Sequence, residues 1–197
     1  MGRIGKPPRV KRFCGMLFRK DEDAAKAIET LSRSWGEVDL CAGPFPFSFT
    51  DYYAAEMGPS LQRVFVSFGP LVSAERMAEW KAFTNQIEQQ MAEGGRRTVN
   101  LDPGCLDCAK VILFSTKDFS HRIHLGSGIY AEVTLVYRGG EFVFLPWTYP
   151  DYRCEEYLSF FRSARERFKK QASELGRTPQ AMPMSPLTAD ADRQKPL

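Results

Sequence analysis

Both histidines of this 197-residue chain fall in one run, TKDFSHRIH (116–124), together with Lys117, Asp118 and Arg122. Imidazole titrates nearest to neutrality, so His121 is a candidate general acid or base, with Asp118 or Glu132 to orient it. Lys117 and Arg122 are donors suited to a phosphate or carboxylate. In an extended run His121 and His124 point to opposite faces, which argues against a local two-histidine metal clamp. A second candidate is NLDPG (100–104), where Asp102 precedes Pro103. An aspartate followed by proline is the pattern of an N-cap and first helical residue, and it predicts a helix over 103–115. The free N–H groups of that helix would assist in holding an anion beside Asn100 and Asp102. A strand over 110–114 is the competing reading.

Two aromatic runs complete the set. FTDYY (49–53) offers Asp51, with Glu56 nearby, as carboxylates, and Tyr52 and Tyr53 as stacking surfaces. WTYPDY (147–152) sets Trp147, Tyr149 and Asp151 together, an aromatic wall beside a carboxylate, as in many ligand pockets. Each run also has a plain reading: a cap, a solvated loop, packed rings, or cover for a sheet edge. Cys105 and Cys108 form a single CxxC. It lacks the two further ligands of a structural zinc site and the context of a thioredoxin motif, so no metal is assigned and any cofactor is unknown. A helix beginning at Pro103 would place both thiols in its first turn, where thiolates are favoured. The chain contains no GxxxxGK[ST] phosphate loop, no GxSxG and no HExxH.

The elements that must position these residues follow from periodicity. Residues 10–18 and 61–68 read as strands, and 37–42 and 97–101 as shorter ones. Ala24, Ile28, Leu31 and Trp35 recur at helical spacing, as do Met77, Trp80, Thr84, Ile87 and Met91. The prolines of GPFPFSF (43–49) prevent a regular central strand there and imply an extended, packed segment. Alternation over 129–138, Gly139-Gly140 and the return over 141–145 predict a hairpin. A long helix is expected from about residue 153 to 175. The fold class is α+β: a ferredoxin-like split β-α-β core, extended by the β-hairpin and the long C-terminal helix. The expected organisation is a flexible basic arm at 1–8, a single domain at 9–175 and a disordered tail at 176–197.

Composition bounds the partners. Hydrophobic residues are 43% and charged residues 26%, and the formal net charge is +3. These values describe a globular chain, and they do not indicate nucleic acid beyond the short basic stretch of Arg3, Lys6, Arg9, Lys11 and Arg12. No apolar run is long enough for a membrane span. No export signal is read, and with five cysteines this points to a reducing, cytoplasmic setting.

The blocks PFPFSFTDYYAAEMG, FTNQIE, VNLDPG, AKVILFSTKDFSHRIHLGSGIYAEVTLVY and LPWTYPDYR together resemble the signature of domain-of-unknown-function family 4416. They span roughly residues 13–168, nearly all of the expected domain. The resemblance implies a small prokaryotic cytoplasmic protein and no established activity. Asp51, Tyr52, Tyr53, Asn100, Asp102, Gly104, Lys117, Asp118, His121, Arg122, Glu132, Trp147, Tyr149, Pro150 and Asp151 match the pattern. Cys105, Cys108 and His124 depart from it, which favours His121 over His124 and sets the CxxC aside.

The leading expectation is binding of an anionic small molecule, with a nucleotide as one class. Lys117 and Arg122 would hold the anion, and Trp147 or Tyr149 would stack. One alternative is a hydrolase in which His121 works with Asp102, Asp118 or Glu132. The other is a structural or interaction module presenting Phe45, Phe47 and Phe49. The sequence leaves the ligand, enzymatic activity and oligomeric state open.

Overall fold

The computed structural model describes residues 2–176. The elements in chain order are β1 (Arg9–Phe18), α1 (Asp21–Trp35), β2 (Val38–Pro46), the short helix α2 (Ala54–Met57), β3 (Gln62–Ser73), α3 (Met77–Met91) and β4 (Val99–Leu106). They continue with β5 (Lys110–Ser115), β6 (Ile123–Gly126), β7 (Ile129–Arg138), β8 (Glu141–Phe144) and α4 (Glu155–Glu174). The strands form one antiparallel sheet in the order β2-β3-β1-β4-β5-β7-β6, and β8 pairs with β7. Its first half, β2-β3-β1-β4 with α1 and α3, is the split unit expected from residues 10–101. The hairpin β7-β8 and α4 extend it, as the periodicity indicated. At its turn Gly139 and Gly140 have φ of 62° and 92°, the left-handed pair that a two-residue hairpin turn requires.

Alternation along the strands divides the core into two. One face packs Cys14, Met16, Val66 and Phe68 against Leu31 and Trp35 of α1 and Ile87 of α3. The other packs Phe13, Phe65, Leu113 and Leu135 against Tyr157, Phe160, Phe161 and Phe168 of α4. Burying each of these rings contributes about 1.5–3 kcal/mol. None of the described helices is long and apolar enough to cross a membrane. Residues 2–8 form no helix or strand, and among the described residues they are tied by Ala74 N donating to Pro8 O at 3.0 Å. The basic stretch beside them is partly structural: the fully buried Lys11 donates to Asp39, Phe68 O and Gln171, while Arg12 lies over the Trp35 and Trp80 rings. The tail expected over 176–197 lies, from residue 177, outside the described residues.

The helix expected over 103–115 is absent. That segment forms the end of β4, a tight turn and β5. The turn-forming aspartate is Asp107, not Asp102: its Oδ1 accepts from Ala109 N at 2.7 Å and Lys110 N at 3.0 Å, closing a hairpin in front of the strand-prone KVILFS. The CxxC thiols therefore gain nothing from a helix end. Cys105 is buried in β4, Cys108 lies in the turn, and burial pushes both thiols up.

Candidate functional site

The sheet is split on one side. β4 pairs with β5 only from Gly104 to Leu106, whereas β1 follows β4 all the way to Val99. Pro103 has no N–H with which to continue the ladder, and β5 runs on to Ser115 against β7 alone. Below Gly104 a free strand edge is therefore left on β4. Two buried side chains of α3 cover it: Lys81 Nζ donates to Leu101 O at 2.8 Å, and Leu101 N donates to Glu88 Oε1 at 2.6 Å. They stand in for the missing neighbour strand. Burial raises the Glu88 carboxyl, with Lys81 opposing.

A cleft of about 690 Å³ occupies this split. All four polar and aromatic runs reach it: Phe49, Tyr52 and Tyr53 from the first, Asn100 and Asp102 from β4, Lys117, Phe119 and Arg122 from the third, and Tyr149 to Tyr152 from the last. A smaller hollow of about 270 Å³ beside Arg19, Lys20 and Arg96 shares Arg97 with it.

Arg63 of β3 forms the floor. Its guanidinium is 3% exposed and binds Asp102 at 2.8 Å and Asp151 at 3.4 Å. To reach Asp102 it passes over β1 at Gly15, which stands opposite Asp102 in the register. A Cβ at residue 15 would lie 2.8 Å from the Phe65 ring and 3.1 Å from Arg63 Nη1, so glycine opens this corridor. Burial pushes the Asp102 carboxyl up, but Arg63 and Lys81 outweigh it and hold the group below the usual aspartate value. For Asp151 burial wins over Arg63, and its carboxyl is raised.

The inner wall is Asn100 and Arg97. Arg97 Nη1 donates to Asn100 Oδ1 at 2.7 Å, and its other nitrogens bind Glu56 at 2.5 and 2.8 Å, tying α2 to the start of β4. The opposite wall is Arg122 and Glu132. Arg122 donates to Glu132 at 2.8 Å, Ser115 Oγ and Lys117 O at 2.9 Å, and Tyr149 Oη at 2.6 Å, which engages all three of its nitrogens. At the mouth, Lys117 Nζ donates to Tyr52 Oη at 3.0 Å, which lowers the phenol. Lys117 makes no ion pair among the described residues.

The remaining candidates lie at or beyond the rim. His121 Nε2 sits 3.0 Å from Glu132 Oε2, and its ring is stacked between Phe119 and Trp147. Trp147 does not line the cleft; its Nε1 donates to Val133 O. Asp51 and Asp118 are exposed and outside the lining. Asp102 starts no helix, so the N–H groups expected to assist an anion there are absent. Of the three phenylalanines of 45–49, Phe45 packs on Tyr157, Phe47 lies under Arg63, and only Phe49 is exposed, at 43%.

Sequence reasoning missed Arg63, Lys81, Glu88 and the place of Arg97. A signal existed for α3: Met77, Lys81, Thr84, Glu88 and Met91 follow a 4-3-4-3 spacing, so Lys81 and Glu88 share a helix stripe with buried residues. Arg63 is a lone charge in an apolar strand, between Leu61 and Val64.

Comparison with known proteins adds a family. A family model described as "Domain of unknown function (DUF4416)" matches residues 8–168. No curated protein and no solved structure gives a significant match.

Proposed function

Because the chain belongs to the DUF4416 family, whose description assigns no reaction, function must be read from the cleft, and we propose that it binds an anionic small molecule of the nucleotide class. The observation that carries this is the convergence of four separate polar and aromatic runs on one cavity of about 690 Å³, a size suited to such ligands. Among the described residues lining the cleft, Lys117 is the cation without an ion pair and so free to meet the anion, at the mouth and backed by Tyr52. Arg122 is engaged on every nitrogen and serves instead to set the wall. Tyr52 and Tyr149 supply faces for a planar group. Five free thiols support a cytoplasmic setting.

Isothermal titration against nucleoside mono-, di- and triphosphates and sugar phosphates tests the proposal. At least one probe is expected to bind, and Lys117→Ala, an exposed change, is expected to weaken it by about tenfold, as loss of a charged hydrogen bond does. Uniform absence of binding to folded protein sinks the idea.

One observation favours a second reading. His121 lies within hydrogen-bond reach of the buried Glu132, the geometry of an oriented general base. Turnover of p-nitrophenyl phosphate or acetate that His121→Gln abolishes supports a hydrolase; no turnover of either by the native protein counts against it.

A further inference from the structure

The charges lining the cleft are almost all matched to one another. Arg63 is paired with Asp102 and Asp151, and Lys81 with Glu88. Arg97 is paired with Glu56 and Glu88, and Arg122 with Glu132. Every carboxylate of the lining therefore has a cation. Among the described residues the one lining cation without a carboxylate is Lys117, so the site offers a single unmatched positive charge, at its mouth.

The surroundings of Lys117 oppose a second negative charge on the ligand. Asp51 and Asp118 adjoin Tyr52 and Lys117 in the chain and are exposed, and neither makes an ion pair among the described residues. Further phosphates at the mouth would lie near these carboxylates with no free cation of the lining to meet them. Arg19, Lys20 and Arg96 line the smaller hollow instead, in company with Asp23, Glu56 and Glu93. Ring surface is the larger offer of the cleft. Phe49, Tyr52 and Tyr149 line it, yet they are 43%, 61% and 41% exposed. Lys117 Nζ stands 4.2 Å from the centre of the Tyr52 ring, so charge and ring are presented together. Stacking a base on such rings contributes as much to binding as one exposed ion pair, or more.

We infer that the cleft takes a nucleoside bearing one negative charge, a phosphodiester, and gains nothing from further phosphates. This deepens the reading given under Proposed function and rests on it. A phosphomonoester carries about −1.5 to −2 charges at neutral pH and a triphosphate more, whereas a diester carries one. The diester belongs either to a cyclic mononucleotide or to the linkage of a dinucleotide.

Titration calorimetry on the full chain tests this. The probes are adenosine, 3′,5′-cyclic AMP, AMP, ATP and the dinucleotide ApA, with their guanine, cytosine and uracil counterparts. At least one diester is expected to bind as tightly as the mono- and triphosphate of the same base, or tighter, and about tenfold tighter than the neutral nucleoside. Tighter binding of the cyclic form assigns the mononucleotide, and tighter binding of ApA assigns the dinucleotide. In Lys117→Ala, an exposed change, nucleoside and diester are expected to bind equally. A mono- or triphosphate that binds tighter than both diesters overturns the single-charge reading and leaves anion binding standing. So does a preference for diester over nucleoside that survives in Lys117→Ala. Equal binding of diester and neutral nucleoside by the native protein, or no binding by any probe, overturns both.

Discussion

Arg63→Met is the perturbation whose size and pH dependence the structure sets most clearly. Arg63 is buried and is the direct partner of Asp102 at 2.8 Å and of the buried Asp151 at 3.4 Å. Methionine fills much of the volume but leaves Asp151 without its counter-charge and Asp102 with Lys81 alone, and breaking a buried pair in this way costs about 3–5 kcal/mol. That is a large share of the 5–15 kcal/mol typical of a domain. The sign with pH follows from linkage. In the native protein Asp102 lies below its ordinary value, so its contribution is present above the unfolded pKa and is lost as pH falls through the folded one. Asp151 is raised and acts oppositely, its contribution declining as pH rises through the same region. Without Arg63 both carboxyls are raised, so the variant's deficit is full at neutral pH and shrinks as both protonate on approach to pH 4. Urea unfolding followed by tryptophan fluorescence, at neutral pH and again near pH 4.5, measures this. A deficit below about 1 kcal/mol at neutral pH, or one equal or larger in acid, refutes the assignment of Arg63 as the charge centre of the floor.

Other perturbations bear on neighbouring parts of the same framework. Gly15→Ala closes the corridor over β1 and is expected to cost about 1–3 kcal/mol by urea denaturation, through overpacking against Phe65 and Arg63. Lys81→Met and Glu88→Gln should each destabilise, and the double variant should lose less than their sum by about 0.5–3 kcal/mol, because both cover Leu101 and face each other at 3.8 Å; additive losses would contradict the shared role. In native protein Ellman's reagent should modify the exposed Cys41 rapidly, and the buried Cys14 and Cys105 only on unfolding.

Much of the architecture was legible in the chain because long periodic segments report burial directly. The stripe of α1, the alternation of β7 and the Gly139-Gly140 turn each correspond to an element with the expected partner. The misreading at Asp102 has a definite cause. Asp-Pro is ambiguous between a helix start and a strand whose neighbour departs, and only the tertiary pairing of β4 with β1 decides between them. The same event hides the site. A split between β4 and β5 is a property of pairing, so no local pattern announces that Arg63, fourteen residues before Met77, will share a floor with Asp102 and Asp151. The polar runs themselves were visible as residues of unusual composition. Gly15 is a second such case: only the paired strands show that its missing side chain leaves room for Arg63 beside Phe65.

Binding in the split between β4 and β5 is tested most directly by amide chemical-shift mapping of the isotope-labelled full chain, titrated to millimolar concentration with ATP, AMP and ribose 5-phosphate. The structure predicts shifts that cluster at Tyr52, Asn100, Asp102, Lys117, Tyr149 and Asp151 and that weaken in Lys117→Ala. Silence from every probe, or shifts confined to the hollow at Arg19, Lys20 and Arg96, would contradict it.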